Sequence, residues 1–195
     1  MRTSSLVSLT GLSLILTISG TSMAQPGVGV LSPTDAASGW TSLSTSTDAW
    51  RGYKAQTFPS KGWTLKDGEL THAAGGGGGD IVTKAQFKDF ELALEYKLAP
   101  KANSGIMYRV TEKHDAPWMT GPEMQVFDDL GAGQDPLDWH SAGAAYELYK
   151  PAKEKVSKRA GEWNQARVYL RDGRLQHWLN GVRVVDAQIV GADGK

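Results

Sequence analysis

Polar and apolar positions alternate over short stretches, and turn residues separate those stretches at close spacing. Residues 80–83, 90–98, 105–110, 123–127, 167–170, 175–179 and 183–185 each read as a half-buried strand, with successive side chains going to opposite faces. Residues 63–65 and 187–190 are shorter candidates of the same kind. Asp67-Gly68, Asp172-Gly173 and Asn180-Gly181 supply the residue pairs that a two-residue hairpin needs at its positive-φ positions. Residues 168–185 therefore predict a β-meander of three strands. Helical periodicity is confined to single turns at 84–88 and 152–158. The pattern as a whole predicts an all-β, antiparallel sandwich or barrel.

The first residues depart from this pattern. Arg2 precedes a mostly apolar stretch at 6–18, and Ser22 and Ala24 place small residues at the two positions that determine leader cleavage. Residues 1–24 are read as an export leader cut after Ala24, with a buried N-terminal helix as the bland alternative. The stretch is too short and too interrupted to predict a membrane span. Residues 25–38, rich in Pro, Gly and Ser, predict a flexible lead-in, and 39–195 predict one domain. The chain closes on a polar turn directly after the candidate strand 187–190, so the domain is expected to lack its last strands.

Composition narrows the function. The chain has 195 residues, with 21 basic and 21 acidic side chains and no formal net charge. A nucleic-acid partner is not expected from that balance. The absence of cysteine excludes disulfides, thiolate metal sites and a cysteine nucleophile. Seven tryptophans exceed what a small core absorbs, so some are expected on a binding surface.

Candidate chemistry gathers between residues 103 and 177. Glu123 and Gln125 share one face of their strand, and Met124 and Val126 the other. In the strand before it, Ile106, Tyr108 and Val110 share a face by alternation, opposite Met107 and Arg109. Pairing of the two strands would bring Arg109 toward Glu123, either as a cross-strand ion pair on a wet face or in a polar cleft. The following loop carries Asp128, Asp129, Asp135, Asp138, Trp139 and His140, without the spacing of a calcium loop. His140 reads as a base, a metal ligand or a surface residue. His177 shares the Leu175 and Leu179 face, where a histidine is more often satisfied structure than catalyst. The glycine run at 75–79 lacks the Lys-Ser/Thr and helix of a phosphate loop and predicts a flexible loop.

In order along the chain, Gly62-Trp63-Thr64-Leu65-Lys66-Asp67-Gly68-Glu69-Leu70, Gly79-Asp80-Ile81-Val82-Thr83 and Phe87-Lys88-Asp89-Phe90-Glu91-Leu92 are followed by Asn103-Ser104-Gly105-Ile106-Met107-Tyr108-Arg109-Val110. Then come Gly121-Pro122-Glu123-Met124-Gln125-Val126-Phe127-Asp128, Ala142-Gly143-Ala144-Ala145-Tyr146, Gly161-Glu162-Trp163-Asn164 and His177-Trp178-Leu179-Asn180-Gly181. This ordered set resembles the 3-keto-disaccharide hydrolase domain family from about residue 39 onward. Members of that family continue past the point where this sequence stops, with a further strand.

The resemblance implies a concanavalin A-like jelly-roll β-sandwich and a periplasmic or secreted hydrolase or lyase acting on glycosides oxidised at C3. A C3 ketone acidifies the C2 proton, so the implied path is abstraction at C2, loss of the C1 leaving group and rehydration. Carried over by position, Glu123, His140 and Arg109 are the implied catalytic residues. Asn103, Trp118, Gln125, Tyr146 and His177 are the implied sugar contacts. Asp128 is the implied metal ligand. No cofactor is required, although a divalent cation could stabilise the enolate. The implied partners are the 3-keto-glycoside and a separate sugar 3-oxidoreductase. The alternative is a non-catalytic carbohydrate-binding module on the same fold. An enzyme needs a converging acid/base group, whereas a binding module needs mainly aromatic platforms and amides.

Overall fold

The computed structural model of the chain describes residues 6–9, 13–16, 36–37 and 39–189. Twelve strands are described: β1 (Leu6–Leu9), β2 (Ser13–Leu16), β3 (Trp50–Gly52), β4 (Trp63–Lys66), β5 (Glu69–His72), β6 (Ile81–Thr83), β7 (Phe90–Lys97), β8 (Asn103–Val110), β9 (Glu123–Phe127), β10 (Trp163–Arg171), β11 (Arg174–Leu179) and β12 (Val182–Gln188). They form a five-stranded sheet, β3-β6-β1-β8-β9, and a seven-stranded sheet, β12-β11-β10-β7-β2-β5-β4. Every described pairing is antiparallel. The expected antiparallel sandwich of jelly-roll type is what forms. Among the described residues no helix is long and apolar enough to cross a membrane.

Alternation sets the core. Leu92, Leu94 and Tyr96 of β7, Val168 and Leu170 of β10, and Leu175 and Leu179 of β11 turn inward from the larger sheet. Ile106 and Tyr108 of β8 and Met124 and Val126 of β9 meet them from the smaller one. The three Asx-Gly turns form as expected, with positive φ at Asp67, Gly68, Asp172, Gly173, Asn180 and Gly181. The turns expected at 84–88 and 152–158 are not helical; the second is a single turn closed by the Lys155 N–H donating to the Ala152 carbonyl. A short helix instead follows β9, α1 (Asp129–Ala132).

β1 and β2 lie within the residues that the sequence reads as a leader. β1 pairs with both β6 and β8, and β2 with both β5 and β7. Cleavage after Ala24 would remove both strands and open each sheet at those positions.

His177 is fully buried in the core. Its Nδ1–H donates to the Gly143 carbonyl at 3.1 Å, so Nε2 accepts from the Tyr108 hydroxyl at 2.9 Å. Both ring nitrogens are spent, and His177 is not a sugar contact. Burial pushes its pKa down to about 4, from an ordinary 6.5. As pH falls from 6.5 toward 4 the unfolded chain takes up a proton that the folded one refuses. Stability is expected to drop across that window by an amount on the order of 3 kcal/mol. Urea denaturation of the wild type and of His177→Gln, which keeps a donor and an acceptor without titrating, should show the wild type losing stability relative to the variant as pH falls across that window.

Candidate active site

The smaller sheet turns its outer face to a cleft of about 750 Å³. β8 and β9 give the floor: Asn103, Ser104, Met107, Glu123 and Gln125. A 3-10 turn at Pro117–Met119 and the residues after it give one wall, with Trp118, Met119 and Thr120. Tyr146, Glu147 and Leu148 give the other. Trp118 is 65% exposed, an indole with an open face of the kind on which sugar rings stack.

Glu123 owes its place to the register. It pairs with Met107, and its neighbour on the same face, Gln125, pairs with Gly105. The Glu123 carboxyl leans across Gly105, where a Cβ would overlap its Oε1 atom. Burial pushes the carboxyl up to about 7, with the negative charge of Asp80 adding to the effect. A carboxylate poised near neutrality can both take and return a proton. Gly105→Ala is expected to displace this carboxyl without touching its chemistry. The backbone there is not left-handed, and the obstructed atoms, Oε1, Cδ and Cγ, all belong to the Glu123 side chain. Turnover should fall about 100-fold, as small misplacements of a reacting group do, with little change in melting temperature. Steady-state kinetics beside a thermal melt check this.

Gln125 is buried and committed to structure: its Nε2 donates to the His140 carbonyl at 3.1 Å, and its Oε1 accepts from the Val126 N–H at 3.2 Å. It holds the 138–146 segment, which also bonds to β9 through the Gln125 N–H to Ala144 carbonyl and the Tyr146 N–H to Glu123 carbonyl hydrogen bonds. Tyr146 thereby stands beside Glu123. Burial and the charges of Glu147, Glu123 and Asp138 push its hydroxyl up, so it stays protonated and can donate.

Three other expectations need correction. Arg109 does not line the cleft or pair with Glu123. It sits in the left-handed region at φ 56°, and this irregularity reverses the alternation after Tyr108. Val110 consequently packs with Met107 and Val82 rather than with Ile106 and Tyr108. Asp128 does not fit a metal. Its Oδ1 accepts from the Gly131 N–H at 3.1 Å and its Oδ2 from the Lys101 N–H at 2.8 Å, so it caps α1. Among the described residues no cluster of three or more His, Asp or Glu side chains is arranged to hold a metal ion. His140 stands behind the wall, not in the cleft. Its ring bridges Asp138 at 2.9 Å and Glu147 at 3.4 Å and lies 4.8 Å from the Tyr146 ring. Of the implied sugar contacts, Asn103, Trp118 and Tyr146 line the cleft with open polar or aromatic groups.

Two participants were given no role from sequence. Glu147 lines the wall beside Tyr146. Asp80 precedes β6 and bears electrostatically on Glu123. Its parity with Val82 was readable; its nearness to Glu123 was not, because β1 and β8 intervene between their strands.

Fold and site together define a jelly-roll β-sandwich with an acidic, aromatic-walled cleft on the outer face of its smaller sheet. The chain belongs to the family described as the 3-keto-alpha-glucoside-1,2-lyase-like domain, whose pattern matches residues 39–195. It is 32% identical over 161 residues to a 3-keto-disaccharide hydrolase of Bacteroides thetaiotaomicron, a match that covers 71% of this chain and 54% of that protein. The chain thus spans about half the length of that relative. A Parabacteroides distasonis crystal structure, provisionally described as a glycosyl hydrolase, superposes with a TM-score of 0.72 at 32% identity, covering 85% of this chain and 79% of the other. A second structure with the same description from that organism gives 0.50 at 30% identity, over 55% of each chain.

Proposed function

We propose that the chain cleaves glycosides whose sugar carries a ketone at C3, with Glu123 as the proton-transfer residue. The carrying observation is the Glu123 carboxyl: half-buried on the cleft floor, beside a protonated Tyr146 hydroxyl, and balanced near neutral pH. The ionised carboxylate takes the C2 proton, and the C2–H electron pair forms the C2=C3 enolate. Tyr146 Oη–H and the Asn103 amide are the cleft donors suited to the oxygen on C3. The ketone then reforms, C1=C2 forms, and the C1–O bond breaks with its electrons leaving on oxygen. Glu123, now protonated, returns a proton to that oxygen. Water adds its hydroxyl to C1 and its hydrogen to C2. The net change is one water consumed, one alcohol and one 3-keto sugar released. One carboxyl suffices for this path, unlike the two facing carboxyls of a standard glycosidase.

Trp118 supports the sugar by stacking, and Met119 and Leu148, each 48% exposed, give the leaving group apolar contacts. The same proposal places the protein outside the cytoplasm and downstream of a separate oxidoreductase that converts the C3 hydroxyl to a ketone. A 3-keto-glucoside and the matching unoxidised glucoside, each with a chromophoric leaving group, test it together. Release from the ketone alone supports the proposal. Binding of both without release supports a carbohydrate-binding module instead.

A further inference from the structure

We propose that Asp80 is a second working carboxylate of this cleft, a positioning residue that acts through Glu123 from the far side of Gly105. The inference rests on the role given to Glu123 above. Ser8 of β1 pairs with Val82 on one side and with Met107 on the other, and Met107 pairs with Glu123. Val82 and Met107 pack together with Val110 in a separate cluster outside the main core. Counting back two residues on β6 and on β8 puts Asp80 and Gly105 in one row of the sheet. Gly105 has no side chain, and the Glu123 carboxyl fills that space. Asp80 is the acidic group whose charge reaches the Glu123 carboxyl along that row.

Asp80 is also fixed. The Tyr53 N–H donates to its carbonyl at 2.8 Å, and the Trp63 indole N–H donates to the adjacent Gly79 carbonyl at 2.8 Å. The glycine run before it is an anchored strap rather than the expected flexible loop: a Cβ at Gly62 would overlap the Gly77 carbonyl oxygen, and the His72 ring bonds that same carbonyl at 2.9 Å. His72 and Tyr53 face Asp80. Asp80 and Tyr146 lie within electrostatic reach of Glu123, and its charge is also felt by Tyr108 on the core side of the sheet. Arg109, the nearby cation, bears on Tyr108. A like charge opposite Glu123 makes its carboxylate hold a proton more strongly, hence a stronger base toward a carbon acid.

Carboxyl NMR titration of the full chain reads this directly. In the wild type, the Asp80 and Glu123 signals should each carry an inflection at the other's midpoint, as coupled groups do. In Asp80→Asn, the Glu123 midpoint should fall by about one pH unit. The acid limb of kcat/KM for a 3-keto-glucoside should move down with it, and the plateau rate should drop because the base is weaker. A Glu123 midpoint unmoved in Asp80→Asn, or independent titrations in the wild type if that variant does not fold, overturns the proposal. Wild-type protein that shows the coupling but releases nothing from the 3-keto-glucoside keeps the pair and removes the assigned reaction.

Discussion

Glu123→Gln is expected to lower turnover of a 3-keto-glucoside by about 100- to 10,000-fold, the range that a positioned general base contributes. The same variant should be more stable than the wild type above neutral pH. The two effects share a cause. Burial and Asp80 raise the carboxyl from 4.5 to about 7. Below 4.5 both folded and unfolded chains hold the proton, and no cost arises. As pH climbs from 4.5 through about 7, the unfolded chain ionises first and gains relative to the folded one. The folded protein therefore loses stability across that window, by an amount on the order of 3 kcal/mol once ionisation is complete. A glutamine does not ionise and escapes that loss. Urea denaturation at pH 5 and pH 8 should show the stability gap between variant and wild type opening at the higher pH. Equal stability at both would mean that the carboxyl is not strained by its site.

Lys155→Met is expected to cost about 3–5 kcal/mol of folding stability, the penalty for stripping one partner from a buried ion pair. Lys155 Nζ and Asp129 Oδ2 are 2.7 Å apart, and each side chain is 1% exposed. The other Asp129 oxygen accepts from the Ala142 N–H at 2.9 Å. These contacts tie α1 to the chain 26 residues further on, closing the segment that carries Tyr146, Glu147 and Leu148. Without Lys155 the Asp129 charge stays buried with the Ala142 amide still donating to it, and the cleft wall loosens. KM should rise and kcat should fall together, because that segment carries Tyr146, the donor assigned to the C3 oxygen, while Glu123 keeps its place on β9. Replacing Asp129 by Leu in the same chain should recover much of the stability, since a matched apolar pair leaves no stranded charge. Chemical denaturation of the single and double variants measures both.

The sheets were legible because their signals are local. Alternation places β7 through β12 within a few residues, and the meander of β10, β11 and β12 follows directly from the Asp172-Gly173 and Asn180-Gly181 turns. The cleft floor was legible to the same extent: Glu123 on the open face of β9, paired with β8. What failed was non-local. A left-handed Arg109 has no flag in sequence, so the reversal after Tyr108 could not be seen. Asp128 looks like any loop carboxylate until the amides of Gly131 and Lys101 claim both its oxygens. His177 had the correct face by alternation, beside Leu175 and Leu179, and burial there decides against the sugar contact that the resemblance implied. Lys155 and Asp80 acquire their partners only when distant strands assemble.

The measurement that bears most directly on the account is the fate of the C2 hydrogen. Cleavage of a 3-keto-glucoside is run in D2O, and the released 3-keto sugar is reduced at once with borohydride to halt spontaneous exchange. Elimination and rehydration through Glu123 predict deuterium at C2 of the product in every turnover, and such product formed about 100- to 10,000-fold more slowly by Glu123→Gln. Cleavage that leaves the original hydrogen on C2 would contradict the account, because the leaving group would then depart without the carbon acid being touched.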